Sequence, residues 1–171
     1  MKATTRTKQG SAEARRRSGT PQRLAFDSDK AATFQIAVLS NLFARPFYES
    51  VGRHARININ EWRLMLALDR HPALSQADIG YYTGLHKMTV SRAVRHLVTS
   101  GYVVAHDDDT DRRRKALFLT AKGESLCDEA LPLLRRRETM VGAGLAPAEL
   151  QKFKRTLAAI IANVRAWPEV F

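Results

Sequence analysis

Apolar residues recur at helical spacing along most of this chain, and the short stretches that break the pattern are the informative ones. Between about residues 29 and 56, Phe34, Val38 and Leu42 form one stripe, and Ile36, Leu39, Phe43, Phe47 and Val51 form another. Apolar surface this wide asks for two neighbours rather than one. Pro46 lacks an N–H and crowds the preceding turn, so a kink or restart is expected there. Trp62, Met65, Leu66 and Leu68 mark the packing face of a second helix, with Asn60 as the expected cap and Glu61 in the positive first turn. That helix should end before Pro72. A short helix capped by Ser75 follows, and Thr83-Gly84-Leu85 interrupts it. Gly84 can take the positive φ of a sharp turn, and Gly80 lets a neighbouring helix come close. Val90, Val94 and Leu97 then line one side of a helix over about residues 86–100, which Gly101 closes as a left-handed cap.

Next the pattern turns to short β-rich runs, residues 102–105 and 116–119. The acids Asp107, Asp108, Asp109 and Asp111 and the bases Arg112, Arg113, Arg114 and Lys115 lie between them, which reads as a hairpin with a charged tip. Thr120 can cap a long helix with Leu126, Ala130, Leu133, Leu134 and Val141 on its apolar side and Pro132 interrupting it. After a turn at 142–146, Pro147 suits the first position of a last helix. Leu150, Phe153, Leu157, Ile160, Ile161 and Val164 repeat along that helix.

Two short helices around a glycine turn are the helix-turn-helix pattern. Opposite its buried stripe, the second of them carries Met88, Ser91, Arg92 and Arg95, with Lys87 and Thr89 in its first turn. The first turn is the end that meets base edges in such proteins. Arginine can bond guanine at O6 and N7, and the threonine methyl can meet that of thymine. For a lone amphipathic helix, a solvated polar face is the better reading. The glycine turn before it and the basic hairpin after it favour a DNA-reading helix and a wing. Arginine enters a narrow minor groove favourably, and a carboxylate such as Asp111 can hold it in one orientation.

The run Asp111-Arg112-Arg113, with Leu119-Thr120 and Gly123 after it, resembles the wing of the MarR family of winged-helix regulators. So does the order Leu74-Ser75-Gln76, Ile79, Leu85, Thr89-Val90-Ser91-Arg92, Leu97 and Gly101-Tyr102-Val103. The resemblance spans about residues 31–164. It implies a mostly α fold with a small β-hairpin. A winged helix-turn-helix lobe at about 58–120 would lie between dimerisation helices at about 29–56 and 121–167, all in one domain over 28–171. The resemblance also implies an obligate homodimer on a pseudo-palindromic duplex. Arg113 would enter the minor groove with Asp111 orienting it, and Lys87, Thr89, Ser91, Arg92, Arg95, Arg112 and Arg114 would hold bases or phosphates. A small-molecule effector is implied as well, an aromatic acid being one candidate. In this sequence Arg45, Tyr48, His54, Trp62 and Arg63 could supply its pocket.

Charge supports a polyanionic partner. The net charge of the 171 residues is +11, a balance that favours nucleic acid or an acidic surface. Residues 1–23 hold seven bases against one acid, which leaves +5 for the rest. Residues 1–27 have few large apolar groups and are expected to be a disordered basic arm. That arm supports an alternative in which the chain binds nucleic acid without specificity, as an architectural protein using tail and wing charge.

No enzyme motif stands out. The five histidines have no zinc spacing, no phosphate loop or nucleophile elbow occurs, and no cofactor is implied. The single cysteine, Cys127, excludes an intrachain disulfide and reads as structural rather than as a redox sensor. No apolar run approaches a membrane span. A reducing, cytoplasmic setting at the nucleoid, with no membrane partner, is expected.

Overall fold

A computed structural model describes residues 30–49, 51–107 and 115–167. The chain divides at Ser50–Val51 into two compact units, inside the span expected as one domain. The described element of the first unit is α1, Ala32–Glu49. It continues through Pro46. Phe34, Ile36, Val38, Leu39, Leu42 and Phe43, drawn from both sequence stripes, are exposed on it.

The second unit starts with the short α2, Val51–Ala55, and continues into α3, Ile59–Arg70. The cap of α3 is Asn58, not Asn60. Its Oδ1 accepts from the Asn60 and Glu61 amides at 2.9 and 3.1 Å, and the Glu61 carboxylate accepts from the Asn58 amide at 2.6 Å. This reciprocal box satisfies donors that the first turn leaves free. Asn60 already lies inside that turn and cannot perform the role.

Helices α4, Gln76–Thr83, and α5, Lys87–Thr99, form the expected helix-turn-helix. Ser75 and Asp78 make a second capping box at the start of α4. Gly84 has φ 71° and Gly101 φ 73°, both in the left-handed region read from the sequence. A Cβ on Gly80 would stand 3.3 Å from the Leu85 carbonyl oxygen, so a small residue keeps the two helices close.

Strands β1, Val103–Asp107, and β2, Lys115–Leu119, pair antiparallel, with Val103 opposite Leu119 and Asp107 opposite Lys115. Asp107 and Lys115, read from sequence as parts of the tip, close the ladder and form an ion pair. On the other edge of β2, Ala73 N donates to Leu117 O and Leu117 N to Leu74 O, both at 3.0 Å. The segment before α4 thus adds a third, one-bridge arm to the sheet.

Helix α6, Ala121–Val141, starts from the expected cap at Thr120 and continues through Pro132; α7, Pro147–Arg165, follows. The core of this unit joins Leu64, Met65 and Leu68 of α3 to Ile79, Val90, Leu97 and Leu117, with Leu126 and Ala130 of α6 also buried. Helix α3 touches α4, α5, α6 and β2, so it is the post on which the helix-turn-helix rests. In contrast, α7 buries no residue, and Phe153, Ile161, Val164 and Trp167 stay exposed.

Candidate nucleic-acid interface

The helix-turn-helix positions its second helix by burying one side and capping both ends. Val90, Ala93, Val94 and Leu97 are the buried side of α5. The N-cap is His86, whose Nδ1 accepts from the Met88 amide at 3.3 Å. Imidazole can therefore stand in for the usual hydroxyl or carboxylate cap. Before it, Thr83 Oγ1 donates to Ile79 O at 2.6 Å and accepts from Leu85 N at 3.3 Å, which stiffens the turn.

At 3.6 residues per turn, Met88, Ser91, Arg92 and Arg95 share the face away from the core. Lys87, Arg92 and Arg95 are exposed, and Thr89 and Ser91 are half-buried. Among the described residues, no carboxylate pairs with Lys87, Arg92 or Arg95. Among the described residues the outer face of α5 is thus an unneutralised cationic ridge, and Lys87 and Met88 in its first turn are exposed. Unpaired cations on a rigid helix suit a polyanion, because no internal ion pair must be broken first.

One further residue pair holds this ridge at a fixed depth. Glu61 is 6% exposed, and its Oε1 lies 2.9 Å from His96 Nδ1 near the end of α5. The same carboxylate caps α3, so one buried side chain ties α3 to α5. The sequence shows Glu61 as a first-turn acid, but its partner lies 35 positions away and no local pattern links them.

The far end of α5 is clasped by α6. Thr120 Oγ1 donates to Gly101 O at 2.7 Å, Thr120 N to Tyr102 O at 3.1 Å, and Lys122 Nζ to Ser100 O at 2.8 Å. The Lys122 ammonium also sits 4.2 Å from the centre of the Tyr102 ring. The hairpin therefore leaves α5 at a fixed angle. Of the wing residues, Asp111, Arg112, Arg113 and Arg114 lie outside the described residues.

The five residues proposed for an effector pocket fall in both units. Arg45 is an exposed residue of α1 in the first unit, and the Tyr48 side chain lies outside the described part. In the second unit, Trp62 is 3% exposed in the core and Arg63 is half-buried. His54 lies on a groove of about 250 Å³ with Ala55, Tyr102, Lys122, Ser125, Leu126 and Glu129. Its Nε2 is 3.3 Å from Glu129 Oε1. Tyr102 and Lys122 were not singled out from sequence as pocket residues, since strand and helix patterns say nothing about which loop they face.

Cys127 is buried on α6, and loss of hydration pushes its thiol up to about 12, with Asp69, Asp128 and Glu124 adding to the rise. A thiol held protonated is a poor nucleophile and a poor sensor. No cluster of three or more His, Cys, Asp or Glu side chains could hold a metal ion among the described residues. No described helix is long and apolar enough to cross a membrane.

A sequence profile described as MarR family matches residues 57–114, from the cap of α3 into the wing. Over that segment the chain is similar to the MarR family of winged helix-turn-helix transcriptional regulators. The fold agrees: the chain is similar to the structure of a MarR/EmrR family regulator from Acinetobacter sp. ADP1. That likeness has 26% identity and a TM-score of 0.75, over 83% of this chain and 100% of the other. A curated relative, the HTH-type transcriptional regulator TtmR of Methylorubrum extorquens (strain PA1), is 29% identical over 98 residues. The match takes in 57% of this chain and 50% of the relative, so it spans about half the relative's length. The fold is shared as well by the repressor CouR, whose structure is bound to a 23-mer DNA duplex. There the TM-score is 0.65 at 20% identity, over 77% of this chain and 93% of CouR.

Proposed function

We propose that this chain is a homodimeric, sequence-specific DNA-binding regulator of the MarR family, acting as a repressor that a small-molecule effector releases. The observation that carries this reading is the unpaired cationic ridge of α5, braced by Glu61 behind and by α6 at its far end. In the proposed complex Lys87, Thr89, Ser91, Arg92 and Arg95 meet bases and phosphates in the major groove. The wing supplies Arg113 to the minor groove with Asp111 orienting it, while Arg112 and Arg114 meet the backbone.

The dimer reading rests on unburied apolar surface. Helix α7 leaves Phe153, Ile161 and Val164 exposed, and α1 leaves six large apolar side chains exposed. Faces of this size on a soluble chain ask for a partner, and a second copy would place two reading helices about 34 Å apart on a pseudo-palindromic site. Such a protein works at the nucleoid in the cytoplasm.

For the effector we propose an aromatic acid on the groove beside His54, where Tyr102 offers a ring and Lys122 a cation. Because Lys122 also holds the end of α5 through Ser100, a ligand that engages it would bias the reading helix. The ligand must bind the two states with different affinity to act at all.

The test is selection of bound duplexes from a random pool, followed by titration of the enriched sequence against a scrambled one. Arg92→Ala should cost about 1–3 kcal/mol on the enriched duplex and little on the scrambled one. Deleting residues 1–23 should lower affinity for both and reduce the salt dependence. If the wild type binds both duplexes equally and the deletion abolishes binding, the protein is a non-specific binder instead.

A further inference from the structure

The ridge of α5 holds one residue that charge does not explain. Met88 stands in the first turn and heads the line continued by Ser91, Arg92, Arg95 and Thr99. It is 54% exposed, although it is large and apolar and every other member of that line is polar or charged. The buried side of the helix is complete without it, since Val90, Ala93, Val94 and Leu97 supply the contacts to the core. Its side chain therefore does nothing for the fold that a smaller residue would not do. Its backbone amide, which His86 caps, is present in any residue.

The position is the one that comes nearest to base edges when a reading helix enters the major groove end-first. Of the groups displayed there, the thymine 5-methyl is the apolar one; the others donate or accept hydrogen bonds. A thioether chain can gain from such a methyl by excluding water, and its unbranched, polarisable form lets it follow the methyl's position. It offers no strong hydrogen bond to guanine, cytosine or adenine. The flanking Lys87 and Arg92 are placed for phosphate or guanine, so Met88 adds a different preference on the same helix.

We propose that Met88 is a specificity-determining residue that recognises thymine 5-methyl groups, so that each half-site carries thymine under the first turn of α5. The proposal rests on the sequence-specific DNA reading above and names the base class that one residue selects.

Deoxyuridine tests it, because it differs from thymidine only by the methyl. Duplexes enriched from a random pool by the full wild-type chain are remade with each thymine of one half-site replaced in turn by deoxyuridine. Wild type should lose about four-fold in affinity at one or two of these positions, the worth of one methyl removed from water. Met88→Ala should bind the thymine duplex more weakly by a similar factor and no longer distinguish it from the deoxyuridine duplex. Met88→Leu should keep the discrimination. Wild type indifferent to every replacement overturns the proposal, as does Met88→Ala that discriminates as wild type does. A pool from which no sequence is enriched overturns the regulator reading and this proposal together, so the two failures are distinct.

Discussion

Gly123 occupies the first turn of α6, where helix propensity and tertiary contact make opposite forecasts for Gly123→Ala. By propensity alone, alanine stabilises a helix by up to about 1 kcal/mol over glycine. The structure places a Cβ at this position 2.3 Å from the Tyr102 carbonyl oxygen and 3.2 Å from Leu119 Cδ2. An ordinary contact needs roughly 1 Å more than the shorter of these. The oxygen belongs to the backbone and cannot rotate aside, so the start of β1 must move away from α6. That movement strains the bond from Thr120 N to the same oxygen, now 3.1 Å, and with it the Thr120 bond to Gly101 O. Overpacking costs about 1–3 kcal/mol, and a weakened hydrogen bond adds about 1 kcal/mol. After the propensity gain, a net loss of about 1–3 kcal/mol is expected. Urea unfolding at one fixed protein concentration measures it, since any subunit association makes stability concentration-dependent. Gly142→Ala is the control: there the nearest atom is the flexible end of Leu150, at 3.0 Å, and a change within about 0.5 kcal/mol is expected. If Gly123→Ala is as stable as wild type or more so, the close approach of α6 to Tyr102 is not a feature of the folded protein. The clasp argument for the angle of the hairpin then fails with it.

Asn58→Ala should cost about 1 kcal/mol in the same unfolding assay, while Asn60→Ala should stay within about 0.5 kcal/mol, because only Asn58 caps α3. Cys127 should react with a thiol reagent at pH 8 roughly a thousand-fold more slowly than in denaturant, since a thiol at about 12 carries that much less thiolate than one at 9.0. The same shift has a definite sign for stability: the unfolded thiol ionises first, so Cys127 lowers stability as pH rises from 9 towards 12 and has no effect below that window. Equal reaction rates in native and denatured protein would refute the burial argument. Arg165→Ala should cost about 1 kcal/mol and speed amide exchange in the last turn of α4. There Arg165 donates to Tyr81 O at 2.9 Å and lies 4.5 Å from the Tyr81 ring. Unchanged exchange would show that α7 does not hold that turn.

Much of the architecture was open to reading from the chain alone, because its causes are local. Val90, Val94 and Leu97 recur at helical spacing, and Gly84 and Gly101 sit where a positive φ is needed. Ser75 and Thr120 precede their helices with the side chains that cap them. The second helix of the pair and its cationic face follow from these few positions, and so does the resemblance to a family. What the chain could not disclose depends on partners distant in sequence. The box at Asn58 rather than Asn60 turns on a one-residue difference in where the backbone turns helical. The Glu61–His96 tie, the Leu74–Leu117 bridge and the groove joining His54 to Lys122 join residues between 35 and 68 positions apart. Neither proline ends its helix: Pro46 and Pro132 both lie inside continuous helices, where loss of one hydrogen bond does not outweigh the turns on either side. Periodicity specifies which face of an element is apolar; only the assembled core determines what that face meets. That is why the helix-turn-helix was legible in sequence while the contacts that hold its second helix in place were not.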